Sequence, residues 1–218
     1  MKLYNLDLSP FAARCRLAIY KKRLPIEMVA PPEGGTRSIA YLALNPIGKV
    51  PALAVGGGLV LPESEVIVEY LEDRFPTPAL RPQAPEALAR MRLLSRVGDL
   101  YLMPGMGKLF GQMNPAARDA AVVDAAVIEV GRALDHVERW LAPDGWAVDG
   151  AFSLADCALV PQLFILDRLL AAVGQTAVLA SRPKMSAYWQ FAPADPDVAR
   201  VMAEMDAGLA RMMAQRQA

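Results

Sequence analysis

Phe75-Pro76-Thr77-Pro78-Ala79-Leu80-Arg81-Pro82-Gln83-Ala84-Pro85 places four prolines in eleven positions, and the chain reads differently on its two sides. Each proline ring holds φ and removes a backbone donor, so such a run is stiff and mostly extended. Residues 77–85 therefore read as a linker between a first domain over 1–76 and a second over 86–218. In the first, strand and helix patterns alternate: strands over 2–6 and 26–29, helices over 11–23 and 37–44, then a hairpin of 52–55 and 59–61 around Gly56-Gly57-Gly58, and a helix over 64–74. That order predicts a small sheet with helices packed on it. Beyond the linker only helical spacing remains. Leu88, Met91, Leu94, Val97 and Tyr101 share one face, and Pro104-Gly105 should kink or break their helix. Val123, Val127, Val130, Leu134, Val137 and Leu141 form the clearest stripe, in a helix begun by Asn114-Pro115 and ended by Pro143-Asp144-Gly145. Ser153-Leu154-Ala155-Asp156 reads as a capping box opening a helix that runs to about Val173 through Pro161. A last helix is expected over 197–215.

Composition narrows the function. The chain has 218 residues, 54% hydrophobic and 21% charged, which suits packed cores rather than disorder. Lys and Arg number 23, as do Asp and Glu, so neither a general nucleic-acid binder nor a polybasic membrane protein is expected. The longest charge-free runs, 50–62 and 169–181, hold 13 residues against the ~20 of a spanning helix. Lys2 is followed by a short apolar start and then Asp7 and Pro10, which does not read as a secretory signal. A soluble, cytoplasmic protein is expected. Cys15 and Cys157 make no disulfide framework and read as core, and one histidine, His136, argues against a His-rich metal site. His136 reads as structural.

Several short motifs remain. Ser9 before Pro10 is a good helix start, and helix N-termini favour anions. Pro51 in Lys49-Val50-Pro51 reads as a strand-start proline. Glu63-Ser64 opens a helix, where a hydroxyl and free backbone N–H groups can hold a carboxylate.

Taken together, Ser9-Pro10-Phe11-Ala12-Ala13-Arg14, Lys49-Val50-Pro51, Pro62-Glu63-Ser64 with Ile67-Val68-Glu69-Tyr70-Leu71, and the Ser153–Asp156 box resemble the cytosolic glutathione transferases over essentially the whole chain. The resemblance implies an N-terminal thioredoxin-like domain (β-α-β-α-β-β-α) and a C-terminal helical-bundle domain. It implies glutathione as co-substrate, no metal, an apolar electrophile and a homodimer. A free thiol has a pKa of about 8.5, so it must be ionised to attack well. Ser9 is implied as the catalytic residue that stabilises the thiolate. Phe11, Arg37, Lys49, Val50, Pro51, Glu63 and Ser64 are implied around glutathione, with Pro51 cis; Val50 pairs its backbone with the cysteinyl part. Tyr101, Met103 and Phe110 are implied as walls of the electrophile pocket.

Ser9-Pro10-Phe11 is similar to tau-class enzymes. Residues 153–162 are similar to zeta-class isomerases, which carry serine and cysteine where this chain has Pro10 and Phe11. A glutathione-dependent cis-trans isomerase or a dehalogenase is the alternative enzyme. Residues 69–76 resemble the stringent-starvation proteins, so a non-catalytic protein-binding role is a third reading.

Overall fold

In a computed structural model, which describes residues 1–217, the alternating half of the chain folds as a mixed sheet with helices against it. Strands β1 (Lys2–Tyr4) and β2 (Glu27–Val29) pair in parallel, with Leu3 opposite Met28. A parallel pair needs a crossover, and helix α1 (Pro10–Lys21) supplies it. β3 (Ala52–Gly56) runs antiparallel to β1 and to β4 (Leu59–Pro62), giving the order β2-β1-β3-β4. The expected helix over 37–44 divides. Ser38 accepts from Tyr41 N at 3.2 Å and caps α2 (Ile39–Leu44), leaving a separate 3-10 turn at Gly35–Arg37. Ala12, Ala13, Leu17 and Ala18 of α1 are buried, as are Ile67, Val68 and Leu71 of α3 (Ser64–Arg74) and Leu3 and Leu53 of the sheet.

Buried charge ties this unit together. Lys22, which caps the end of α1, lies 2.6 Å from Glu72 Oε2. Its ammonium also donates to the carbonyls of Phe75 at 2.7 Å and Pro78 at 2.6 Å, while Glu72 Oε1 accepts from Leu80 N at 2.9 Å. The start of the proline run, including the cis Thr77-Pro78 bond, is thereby held to α1 and α3.

The chain divides into Met1–Leu80 together with everything from Asp195, and Arg81–Ala194. The last helix, α10 (Pro196–Gln217), thus belongs with the first unit, whereas the composition shift groups residues 86–218 together. The reason is electrostatic and steric. Arg23 pairs with Asp197 at 2.6 Å, Lys21 with Asp195, and Arg16 Nε lies 3.2 Å from Glu204 Oε2. Gly208 fits because a Cβ there would meet Leu8 N at 2.8 Å.

The other unit holds α4 (Pro85–Val97), α5 (Met103–Gly111), α6 (Ala120–Trp140), α7 (Leu154–Ala172), α8 (Ala177–Ala180) and α9 (Pro183–Phe191). The break expected at Pro104-Gly105 falls earlier, as a π-turn over Gly98–Leu102, and Pro104 sits in the first turn of α5. A widened turn makes room for the ring, and a first-turn proline lacks only an N–H that has no partner there. Val123, Val130, Leu134, Val137 and Leu141 are buried as the stripe requires, with Ala126 and Ala133 completing it. Val127 is half-buried. Asn114 caps only a 3-10 turn, Pro115–Ala117; α6 starts afresh, with Asp119 accepting from Ala121 N and Val122 N.

Asp156 of the capping box is buried and takes donors from Ser153 N (2.7 Å), Ser153 Oγ (2.9 Å), Ala147 N (2.8 Å) and Tyr188 OH (3.0 Å). Burial pushes its carboxyl up to about 6 against these donors. Asp156→Ala leaves all of them without their acceptor. The expected cost is about 3–5 kcal/mol, read from chemical denaturation; a loss below about 1 kcal/mol would show that the loop before α7 is held by other contacts.

Candidate active site

Three separated segments converge on one open cleft in the first unit: Phe11 at the start of α1, the stretch Asn45 to Pro51, and Pro62-Glu63-Ser64 at the start of α3. Each segment is placed by a local device. The 45–51 stretch leaves α2 through a turn in which Gly48 N bonds Asn45 O at 2.9 Å. Gly48 has φ 66°, and a Cβ there would meet Leu42 Cδ2 at 3.0 Å and Thr36 O at 3.2 Å, so only glycine fits. Buried Tyr41 donates to the Lys49 carbonyl at 2.7 Å, and Asn45 Nδ2 donates to the same oxygen at 2.8 Å. That carbonyl is therefore turned inward, and the cis Val50-Pro51 bond follows it at the cleft wall.

Glu63 stands at φ 67°, a left-handed conformation that costs a non-glycine residue energy. It turns the chain from β4 into α3 and leaves the Glu63 side chain exposed beside buried Ser64. Ser64 is the first residue of α3, so its N–H has no acceptor within the helix. Behind it, Arg14 Nη1 donates to Ser64 Oγ at 3.2 Å and to Glu65 Oε2 at 3.0 Å. The cleft thus combines helix-start donors, a hydroxyl and a cation behind it with an exposed carboxylate at Glu63 and an exposed ammonium at Lys49. Such a set can hold an extended zwitterionic molecule with a carboxylate at each end.

Of the residues singled out from the sequence, Phe11, Lys49, Val50, Pro51, Glu63 and Ser64 line this cleft. Ser9 and Arg37 do not. Ser9 is half-buried, and its Oγ accepts from Ala12 N at 3.3 Å as the N-cap of α1. Arg37 is exposed on its 3-10 turn. The loop carrying Ser9 is held from within: Arg16 donates to Asn5 Oδ1 at 2.8 Å and to the Asp7 carbonyl at 2.8 Å, while Arg211 of α10 pairs with Asp7. In the other unit Tyr101 is exposed on the π-turn, Met103 is half-buried and Phe110 exposed on α5. The Tyr101 ring lies edge-on to His136, which stacks near Trp140, so the exposed histidine has an aromatic setting. Cys15 is fully buried, and burial raises its thiol far above the usual range, so it is no nucleophile. Cys157 is likewise buried. Sequence reading missed Tyr41, Asn45 and the role of Arg14. From the sequence, Asn45-Pro46 reads only as the stop of the helix over 37–44. Among the described residues, no group of three or more His, Cys, Asp or Glu side chains is placed to hold a metal, and no helix is long and apolar enough to cross a membrane.

Residues 3–79 match the glutathione S-transferase N-terminal domain, and residues 101–193 match the glutathione S-transferase C-terminal domain. The chain belongs to the glutathione S-transferase family. It is 35% identical over 181 residues to the maleylacetoacetate isomerase of Pseudomonas aeruginosa, covering 79% of this chain and 84% of that one. It is 31% identical over 214 residues to glutathione S-transferase 3 of Zea mays, covering 93% of each. The crystal structure of glutathione transferase F7 from Populus trichocarpa superimposes with a TM-score of 0.80 at 25% identity, over 94% of this chain and 98% of that one. This transferase-family fold and the N-terminal sheet with its helices agree with what the motifs implied.

The Lys49 carbonyl offers a check on the cleft itself. Tyr41→Phe removes one of its donors and should cost about 1 kcal/mol in denaturation experiments. An unchanged midpoint would mean that Asn45 alone suffices to hold the turn.

Proposed function

We propose that the protein is a glutathione transferase that binds glutathione in the cleft of its first unit and activates the thiol for attack on an apolar electrophile. The observation that carries this is the convergence of Phe11, Val50–Pro51 and Glu63–Ser64 on one cleft in a chain of this family. In this reading the backbone of Val50 pairs with the cysteinyl part of the tripeptide. Ser64, with the α3 N-terminus, takes the γ-glutamyl carboxylate, and Glu63 takes its ammonium. Lys49 takes the glycine carboxylate, and Arg37 is a second candidate for a carboxylate. Ser9 stabilises the thiolate. Its Oγ uses a lone pair to accept from Ala12 N, which leaves the hydroxyl proton to donate to sulfur, and the start of α1 adds favourable potential. Tyr101, Met103 and Phe110 contact the electrophile. Catalysis then comes from ionisation of the thiol and from holding both reactants together. We place the enzyme in the cytoplasm as a homodimer.

A second reading is a glutathione-dependent cis-trans isomerase. It is favoured by the 35% identity to a protein named maleylacetoacetate isomerase. There the same thiolate would add to a conjugated double bond and leave again after rotation, so glutathione is not consumed.

Absorbance titration of bound glutathione tests thiol activation. Wild-type protein should ionise it well below the free value of about 8.5, and Ser9→Ala should return it toward that value. The same variant should lose roughly 10- to 1,000-fold in kcat/KM with a dinitrophenyl halide. Bound glutathione with an unshifted thiol would sink the role of Ser9. Consumption of glutathione separates conjugation from isomerisation of a maleyl substrate.

A further inference from the structure

Arg14 stands behind the cleft rather than in it. Its side chain is 1% exposed, yet it reaches two of the cleft's walls. Nη1 donates to Ser64 Oγ at 3.2 Å, and the guanidinium carbon lies 5.8 Å from the centre of the Phe11 ring. Both Ser64 and Phe11 line the cleft. A guanidinium keeps its proton at every working pH, so this is a permanent cation set one side chain back from the ligand. Glu65 Oε2, 3.0 Å from the same nitrogen, offsets the charge and orients the guanidinium plane.

The chemistry of Ser64 follows from that contact. A serine oxygen has one proton and two lone pairs. When a guanidinium N–H occupies a lone pair, the hydroxyl proton is left to donate elsewhere, and the charged bond polarises it as a donor. The Ser64 N–H, at the first position of α3, also lacks an acceptor within the helix. Without Arg14 the hydroxyl would be free to rotate and to present its lone pairs to the cleft, which suits a donor and repels a carboxylate.

We infer that Arg14 is a positioning residue that, acting through the Ser64 hydroxyl, makes the α3 end of the cleft selective for a carboxylate, the one on the γ-glutamyl residue. This rests on the reading of the cleft as a glutathione site and goes beyond it, since Arg14 touches no ligand. It supplies orientation and charge to a side chain that does.

Calorimetric titration with two tripeptides tests the inference. One is glutathione; the other is 4-aminobutyryl-cysteinylglycine, which keeps the amine but lacks the neighbouring carboxylate. Arg14→Met should weaken glutathione binding about tenfold while changing the analogue by less than about twofold. In a Ser64→Ala background the same Arg14→Met substitution should have almost no further effect, because the intermediary is gone. Should Arg14→Met fail to fold, Arg14→Lys retains the charge but cannot serve Ser64 and Glu65 with a planar fork. It should lower the preference for glutathione over the analogue by about threefold or more. Equal losses for both tripeptides, or additive effects of the Arg14 and Ser64 substitutions, would overturn the role of Arg14 while leaving the glutathione site standing. Wild-type protein that binds neither tripeptide would overturn the site, and this inference with it.

Discussion

A buried cation must be solvated by the protein, and helix α1 carries Arg14 and Arg16 within it and Lys22 at its end, all buried. Each forces chosen polar groups to come to it. Arg14 draws in the start of α3 through Ser64 and Glu65. Arg16 draws in Asn5, Asp7 and Glu204. Lys22 draws in Glu72 and the carbonyls of Phe75 and Pro78. Hydrophobic contact makes α1 stick to the sheet, but alanines such as Ala12, Ala13 and Ala18 would tolerate some sliding. The ionic anchors do not, because a shift by one residue would strand a charge.

The same anchors account for the shape of the cleft. Its α1 wall, its α3 wall and the loop before Ser9 are fastened to one helix, so their spacing is held by short polar contacts rather than by flexible side chains. The remaining wall uses neutral groups. Tyr41 and Asn45 converge on the Lys49 carbonyl, and Gly48 gives the turn its sign. Backbone strain is accepted at Glu63, where the chain must turn sharply to bring an acidic side chain and a helix start side by side. Strain of that kind persists only where neighbouring contacts over-determine the geometry.

Much of the fold was legible because periodicity and proline speak directly about the backbone. The apolar stripe of α6, the box at Ser153 and Asp156 and the glycine hairpin all follow from spacing alone. What was not legible depends on contacts between residues far apart in sequence. Nothing in Asp195, Asp197 or Glu204 distinguishes them from solvated surface acids until α1 is beside them. Arg14 sits among buried neighbours at every helical position, so its pattern gives no hint of a polar duty. Pro104 was rightly read as a perturbation, but the backbone absorbs it one turn earlier, as a π-turn. At the site, the family motifs pointed to six cleft-lining residues. Ser9 before Pro10 reads as a helix start from the sequence, and in the fold Ser9 is the N-cap of α1.

The return of α10 to the first unit makes that unit discontinuous along the chain, with residues 81–194 intervening. On a ribosome the sheet, α1 and α3 emerge early, but Glu204 and Gly208 are added only after the whole helical unit has been made. Until then Arg16 lacks one of its counter-charges, and the loop bearing Ser9 lacks the helix that backs it. The setting of the Ser9 loop is therefore completed only after the intervening helical unit has been made, although the cleft itself is lined by residues 11–64.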